Sequence, residues 1–283
     1  MQNSHLNDLT IEPMTKDQVN IAIQWAQKEG WNSGVHDAEC FYNADPNGFY
    51  GAKIGGELVG TVSIVKYSDN YAFGGLYIVK AEYRGRGIGF ALLKFVENKC
   101  RNFNLGIDGV EAMQEKYKQN GFRFAHTNIR YKGIANGKFS QTCTPIRKRD
   151  LGEIASFDEK FFPANRSEFL RCWLYQKDAA ALMVKENAEV VGYGVIRKCF
   201  EGHKMGPLFA QNKQTAAWLF ESLTSTIPQQ TVFLDVPQPN QEAIKLAEQN
   251  QMQPVFKTAR MYTKTAPVLP LDKIFGITTF ELG

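Results

Sequence analysis

The residues with the clearest capacity for chemistry stand together at Arg84-Gly85-Arg86-Gly87-Ile88-Gly89, directly after the apolar run Tyr77-Ile78-Val79. Gly85, Gly87 and Gly89 let a backbone turn tightly and bring amide N–H groups close to a ligand. A helix opening near Gly87 leaves the N–H groups of its first turn without partners, and its dipole adds positive character there. Arg84 and Arg86 add fixed charge. This combination suits a pyrophosphate. It is not a P-loop, since no Gly-Lys-Ser/Thr follows, and it is not the dinucleotide fingerprint, which needs a further glycine three residues after the second. Taken alone, the same residues also suit a solvated turn that does no more than start a helix.

The order Arg84-x-x-Gly87-x-Gly89 after an apolar strand resembles the acetyl-CoA loop of the GNAT acetyltransferase superfamily, Gln/Arg-x-x-Gly-x-Gly/Ala. Further along, Tyr117-Lys118-Gln119-Asn120-Gly121-Phe122 resembles that superfamily's second signature, and the two motifs come in the superfamily's order. The resemblance implies N-acetyl transfer from acetyl-CoA as co-substrate, with no metal. It implies cofactor contacts at Arg84, Gly85, Arg86, Gly87, Ile88 and Gly89, and a backbone N–H near Ile78 or Val79 that holds the thioester carbonyl. It also implies Tyr117 as general acid, since a phenol of pKa about 10 protonates a thiolate whose thiol has pKa about 8.5. The alternative for Tyr117 is a half-buried helix tyrosine. Many members of the superfamily carry a glutamate on the strand before the loop. Residues 74–79 hold no carboxylate, so the base is expected elsewhere: a relayed water, or Glu39, Asp37 or His36, with Glu39 carried forward as the catalytic candidate. Asp108 is discounted because Asp235 repeats it in the second half.

The resemblance places the segment around Trp31, His36, Asp37 and Glu39 over the acceptor. Trp31, His36, Asp37 and Tyr77 are thus expected to bind substrate. The bland alternative is that Asp37 caps a helix, Glu39 is solvated and Trp31 packs in the core. Acidic groups near the mouth (Asp37, Glu39, Asp45) favour a cationic amine, and Trp31, Phe41, Tyr42 and Tyr77 offer cation–π contacts. The expected acceptor is a primary amine of a small molecule, reached by direct transfer in a ternary complex. The competing functions are a protein-lysine acetyltransferase and a non-catalytic acyl-CoA sensor.

Composition narrows the class. The chain has 283 residues, enough for two domains of ordinary size, and 43% hydrophobic residues, enough for packed cores. A net charge of +4 from 33 basic and 29 acidic residues is too balanced for nucleic acid. Cys40, Cys100, Cys143, Cys172 and Cys199 are odd in number and lack Cys-x-x-Cys spacing. They argue for a reducing compartment and against a disulfide framework or a zinc site, and His5, His36, His126 and His203 show no metal-ligand spacing. Residues 1–5 have no apolar core, so no signal peptide is expected, and no apolar run reaches membrane-spanning length. The expectation is a soluble cytoplasmic protein without nucleic-acid or membrane partners, a monomer or weak homodimer.

The elements that position these residues can be read in order. Leu9-Thr10-Ile11 suits a strand ended by Pro13, and Thr15 with Gln18 forms a capping-box pattern for a helix stopped by Gly30. Residues 49–54 and 57–66 flank Gly55-Gly56 as a hairpin. Residues 71–79 make the strand that feeds the loop, and 90–99 an amphipathic helix. Residues 105–108 make a strand, 110–120 a helix ended by Gly121, and 122–132 a closing strand.

The second half repeats this order. Residues 57–66 parallel 188–198, 90–99 parallel 215–224, Asp108 parallels Asp235, and 124–132 parallel 256–264. The loop is lost: residues 208–214 hold no glycine and one cation. Aligning Asn120 with Asn250 puts Ala247 at Tyr117 and Gln251 at Gly121. The expected fold class is α/β (α+β), with two tandem GNAT-like domains, each a mixed, mostly antiparallel twisted sheet flanked by helices. Residues 1–134 would be catalytic and 140–283 a degenerate copy covering the acceptor site, joined by a glycine-rich linker at 133–138.

Overall fold

A computed structural model describes residues 8–283; residues 1–7, with His5 and the whole of the signal-peptide reading, lie outside the described residues. The first half runs β1 (Leu9–Pro13), α1 (Lys16–Lys28), α2 (Asp37–Ala44), β2 (Phe49–Ile54), β3 (Glu57–Lys66), β4 (Tyr71–Val79), α3 (Ile88–Lys99), β5 (Asn104–Val110), α4 (Gln114–Gln119) and β6 (Arg123–Ile134). Helix α1 opens with the Thr15/Gln18 capping box and buries Val19, Ala22, Ile23 and Ala26. The hairpin turns at Gly55 and Gly56, whose φ values of 56° and 83° admit glycine without strain. Two expectations are corrected. Helix α4 is shorter than residues 110–120, because β5 continues to Val110 and a tight 3-10 turn takes 111–113. Asp37 is not the cap of α2: His36 holds that position, and the Asp37 carboxylate instead accepts from Gly34 N and Arg197.

The second half runs β7 (Cys143–Pro145), α5 (Leu151–Asp158), α6 (Ser167–Trp173), β8 (Ala179–Glu186), β9 (Glu189–Lys198), β10 (His203–Ala210), α7 (Lys213–Thr224), β11 (Thr231–Pro237), α8 (Gln241–Gln249), β12 (Gln253–Tyr262) and β13 (Ile274–Gly276). Strands β8 to β12 with α7 and α8 reproduce the order of β2 to β6 with α3 and α4.

The two repeats do not keep separate sheets. Their strands form one 13-stranded sheet in the order β1-β2-β3-β4-β5-β12-β6-β11-β10-β9-β8-β7, with β13 beside β10. Strand β12, from the second repeat, pairs with β5 of the first, and β6 pairs with β11 of the second. Each half therefore lends its last long strand to the other, and strands cross the expected division at residues 134–140. Most pairings are antiparallel; β4 with β5 and β10 with β11 are parallel. An ion pair marks each exchange: Arg260 on β12 grips Asp108, and Arg130 on β6 grips Asp235, each residue directly opposite its partner. This symmetry equates Arg130 with Arg260, the same offset as Asn120 with Asn250. The overlay of 124–132 on 256–264 is thus two residues out of step.

Helix α3 packs on the first half's sheet through Ile88, Leu92 and Val96, while α7 and α8 pack on the second. The largest apolar cluster joins α1 and α2 to α5 and α6, with Phe41, Phe169 and Trp173 at its centre. Fully burying a side chain of this size contributes about 1.5–3 kcal/mol. Cys40 and Cys172 are joined as a disulfide between α2 and α6, contrary to the expectation from cysteine spacing. The partners lie 132 residues apart, and only the tertiary fold brings them together. Cys100, Cys143 and Cys199 are free and buried. No helix of the described residues is long and apolar enough to cross a membrane.

Candidate active site

Strands β4 and β5 pair from Tyr71 opposite Asn104 to Gly74 opposite Ile107, then part. Where they part, β4 bulges. Leu76 adopts a left-handed φ of 47°, and the register against β3 slips between the Thr61–Ile78 and Ser63–Gly75 pairs. The Thr61 hydroxyl donates to Leu76 O at 2.7 Å and takes up that displaced carbonyl. The splay opens a cleft of ≈ 800 Å³ between β4 and β5. Ile78, Val79, Arg84, Gly89 and Tyr117 line one part, and Trp31, Ser63, Phe256, Phe280 and Glu281 are also in its walls.

At the first part, β4 ends at Val79 and α3 begins at Ile88, as the sequence predicts. Gly87 is the helix cap, with φ 86° and no side chain capping the first turn. Gly85 has φ 77°, and nothing lies within 4 Å of where a Cβ would stand. The loop therefore offers helix-end amides that no side chain caps and open space beside Gly85, which fits a phosphate-bearing co-substrate. Arg84 donates from Nε to Val79 O at 2.9 Å and forms an ion pair with Glu29, which ties the loop to the end of β4 and to α1. Arg86 lies 5.1 Å from the Tyr83 ring centroid. Ile88 is buried, so only its backbone is available to a ligand. Tyr77 donates its hydroxyl to Gly89 O at 2.5 Å; it braces the start of α3. Burial pushes Tyr77 up to about 12, with Tyr117 adding to the effect.

Tyr117 stands on α4 with its ring flat against β5. A Cβ at Gly109 would come within 2.4 Å of it, so only glycine admits the ring there. Phe122 meets the ring edge-on at a centroid distance of 6.0 Å. Among the described residues the Tyr117 hydroxyl has no hydrogen-bond partner, and burial pushes its pKa above the ordinary tyrosine value.

Three of the expected acceptor residues do not meet at the cleft. Glu39 sits on the outer face of α2, exposed and paired with Lys16 at 3.0 Å, so it is not placed to act as base. His36 pairs at the surface with Asp178 at 3.0 Å. Asp37 is fully buried and spent on Arg197, at 2.8 and 3.1 Å. These groups hold α2 against neighbouring elements, and an acidic cluster in sequence gives no sign of which way a short helix faces. Trp31 does line the cleft, its carbonyl accepting from Arg130 Nη1 at 2.6 Å. The Arg130 guanidinium lies 4.6 Å from the Phe280 ring centroid and 5.8 Å from that of Phe256. It braces an aromatic wall to which both repeats and the final segment contribute. Asp108 is in the wall, but its carboxylate is taken by Arg260 and Asn128. Burial pushes the carboxyl above the ordinary carboxylate value, and the Arg260 contacts offset only part of that rise.

Ser63, Phe256, Phe280 and Glu281 were not expected at the site. The sequence held one signal for the last of them: after Lys273, Glu281 is the single charged residue.

Comparison with known proteins agrees with this geometry. Residues 17–122 match the Acetyltransferase (GNAT) family, and residues 154–276 match an Acetyltransferase (GNAT) domain. A holothin acyltransferase from Pseudoalteromonas sp. (strain SANK 73390) is 31% identical over 280 residues, which cover 97% of this chain and 94% of that one. A candidate acetyltransferase from Pyrococcus horikoshii superposes with a TM-score of 0.84 at 20% identity, covering 100% of this chain and 99% of its own. A tandem GNAT protein from the clavulanic acid biosynthesis pathway superposes with a TM-score of 0.63 at 11% identity, covering 92% and 100%. These two likenesses establish the shared fold.

Proposed function

This chain belongs to the GNAT acetyltransferase family, as a tandem acyltransferase with a degenerate second repeat, and on that premise we propose that it moves an acetyl group from acetyl-CoA to a primary amine of a small molecule by direct transfer. The observation that carries this reading is the meeting of Arg84 and Gly89, which flank the uncapped Gly87 helix start, with Tyr117 in one cleft.

The loop amides and Arg84 bind the donor's phosphates, and the splay between β4 and β5 admits its thioester arm. Backbone N–H groups on β4, near Ile78 or Val79, hold the carbonyl oxygen. Tyr117 gives its phenolic proton to the departing sulfur. Holding the amine beside the thioester supplies several kcal/mol of the barrier. Trp31, Phe256 and Phe280 favour a compact acceptor with an apolar body over an extended peptide. This weighs against lysine side chains of proteins, and Tyr117 weighs against a mere sensor, which needs no acid. The relative's name makes holothin the first acceptor to try. A monomer fits this reading, since β5 and β6 find their sheet partners within the chain.

The test is thiol release from acetyl-CoA against holothin, small aliphatic and aromatic amines, and lysine peptides. Release with a small amine is expected. Release with peptides alone would overturn the proposed acceptor class, and tight CoA binding without release on any amine would overturn the reaction.

A further inference from the structure

The final segment of the chain enters the cleft. Strand β13 pairs with β10, Ile277 N donates to Asp235 O at 2.9 Å, and the Thr279 hydroxyl accepts from Glu281 N and Leu282 N. Tyr67 donates its hydroxyl to Leu282 O at 3.0 Å. This segment crosses β4 at Gly75, just past the point where β4 leaves β5. A Cβ on Gly75 would come within 2.3 Å of Glu281 O, so only glycine lets the segment lie there. Ser63 is the cross-strand partner of Gly75, and paired residues present their side chains to the same face. The Ser63 side chain therefore faces the side on which Glu281 lies.

Both side chains are unsatisfied. Glu281 is 2% exposed; its Oε1 accepts from Ser33 Oγ at 3.3 Å and its Oε2 has no partner. Ser63 Oγ is fully buried and also without a partner. Buried polar atoms are paired in nearly every native structure, and an exception in a cleft wall points to a ligand that completes it. Three buried cations, Arg130, Arg197 and Lys204, face three buried anions, Asp37, Asp235 and Glu281. Asp235 and Asp37 are each taken by an arginine, whereas Glu281 makes no hydrogen bond to any of the three cations.

We propose that Glu281, with Ser63, receives the acceptor's ammonium group and takes its first proton. This rests on the amine-acetylation reading above. Glu281 occupies the role for which β4 itself offers no carboxylate, reaching the same strand from a distant part of the sequence. The balance is complete. One ammonium proton passes to Glu281 Oε2 and on to solvent. The amine nitrogen bonds to the carbonyl carbon, the carbon–sulfur bond breaks, and the sulfur takes the Tyr117 proton. The nitrogen's surplus proton restores the Tyr117 phenol. The products are amide, CoA thiol and one released proton.

The experiment titrates the full chain, saturated with CoA, with 2-phenylethylammonium and with neutral 2-phenylethanol, for wild type, Glu281→Gln and Ser63→Ala. The ring suits the Trp31, Phe256 and Phe280 wall. Wild type is expected to bind the ammonium at least about tenfold tighter than the alcohol, as a charge-assisted hydrogen bond provides. Glu281→Gln removes that preference, Ser63→Ala weakens it, and Glu281→Asp restores part of it. No preference in wild type, or a preference kept by Glu281→Gln, overturns the proposal. A Glu281→Gln protein that only melts lower, with preference and thiol release intact, also overturns it, because Glu281 is then a counter-ion of the buried cations. Loss of the preference in Glu281→Gln, with no thiol release from acetyl-CoA on any amine by wild type, leaves the ammonium site standing and removes the acetylation reading instead.

Discussion

The connection after β4 and the connection after β10 start from equivalent strands and end in equivalent helices, yet they do different things. After β4 the chain spends residues 80–87 on the connection, and α3 begins at Ile88, after its Gly87 cap, with no side chain over its amides. After β10 only Gln211 and Asn212 intervene, and the Asn212 side chain accepts from Thr215 N at 2.9 Å, closing the end of α7. The packing beneath is shared. Gly60 on β3 lets Leu92 and Ile88 approach, and Gly192 on β9 does the same for Thr215 and Leu219. The docking of the helix and the form of its start are therefore separable: a helix can stay packed on its sheet while its first turn is either left open or capped by a side chain.

The largest effect expected to sharpen this contrast is that of Tyr117→Phe. Removing the acid lowers kcat by about 10²–10⁴-fold with CoA affinity unchanged; equal losses in both would make Tyr117 a packing residue like Ala247. Burial raises the Tyr117 pKa, so the acid stays protonated past the ordinary tyrosine value. The alkaline limb of the pH–rate profile should then lie above the ordinary tyrosine value of about 10. Next is Asp37→Ala, which severs the buried join between α2 and β9. Leaving Arg197 uncompensated costs about 3–5 kcal/mol, read from denaturant unfolding; a loss under 1 kcal/mol would mean the halves do not depend on this pair. The smallest effects form a matched pair. Gly87→Ala forces an alanine into the left-handed region, at about 1–2 kcal/mol, and should weaken CoA binding. Gln251 already holds φ 59° where Gly121 has 86°. Gln251→Gly should therefore raise the melting temperature, relief of that strain exceeding glycine's entropic cost of about 0.5–1 kcal/mol.

Elements whose cause is local were legible in the sequence: the Thr15/Gln18 capping box, the Gly55-Gly56 turn, the start of α3 after Gly87. The turn before α3 and the place of Tyr117 on α4 were legible for the same reason, since each is fixed by neighbours a few residues away. The partners of β6 and β12 were not, because both strands suit either half's sheet equally and the choice is made by long-range pairing. Asp37 and Glu39 looked alike as acids near the acceptor, yet one is spent on Arg197 and the other on Lys16, across 160 and 23 residues. Glu281 reaches β4 from the far end of the sequence, and no spacing rule links it to Gly75.

The exchanged strands also set a timetable for synthesis. When the first repeat has left the ribosome, the strand that lies beside β5 in the finished fold has not been made, and neither have the neighbours of β6. The edge of β5 gains its final partner only when residues 253–262 emerge, and until then it is open to other pairings. The loop between β4 and α3 can take its local shape early, whereas the far wall of the cleft is assembled last, when Phe256, Phe280 and Glu281 arrive. A nascent chain thus has one wall of the cleft long before it has the other.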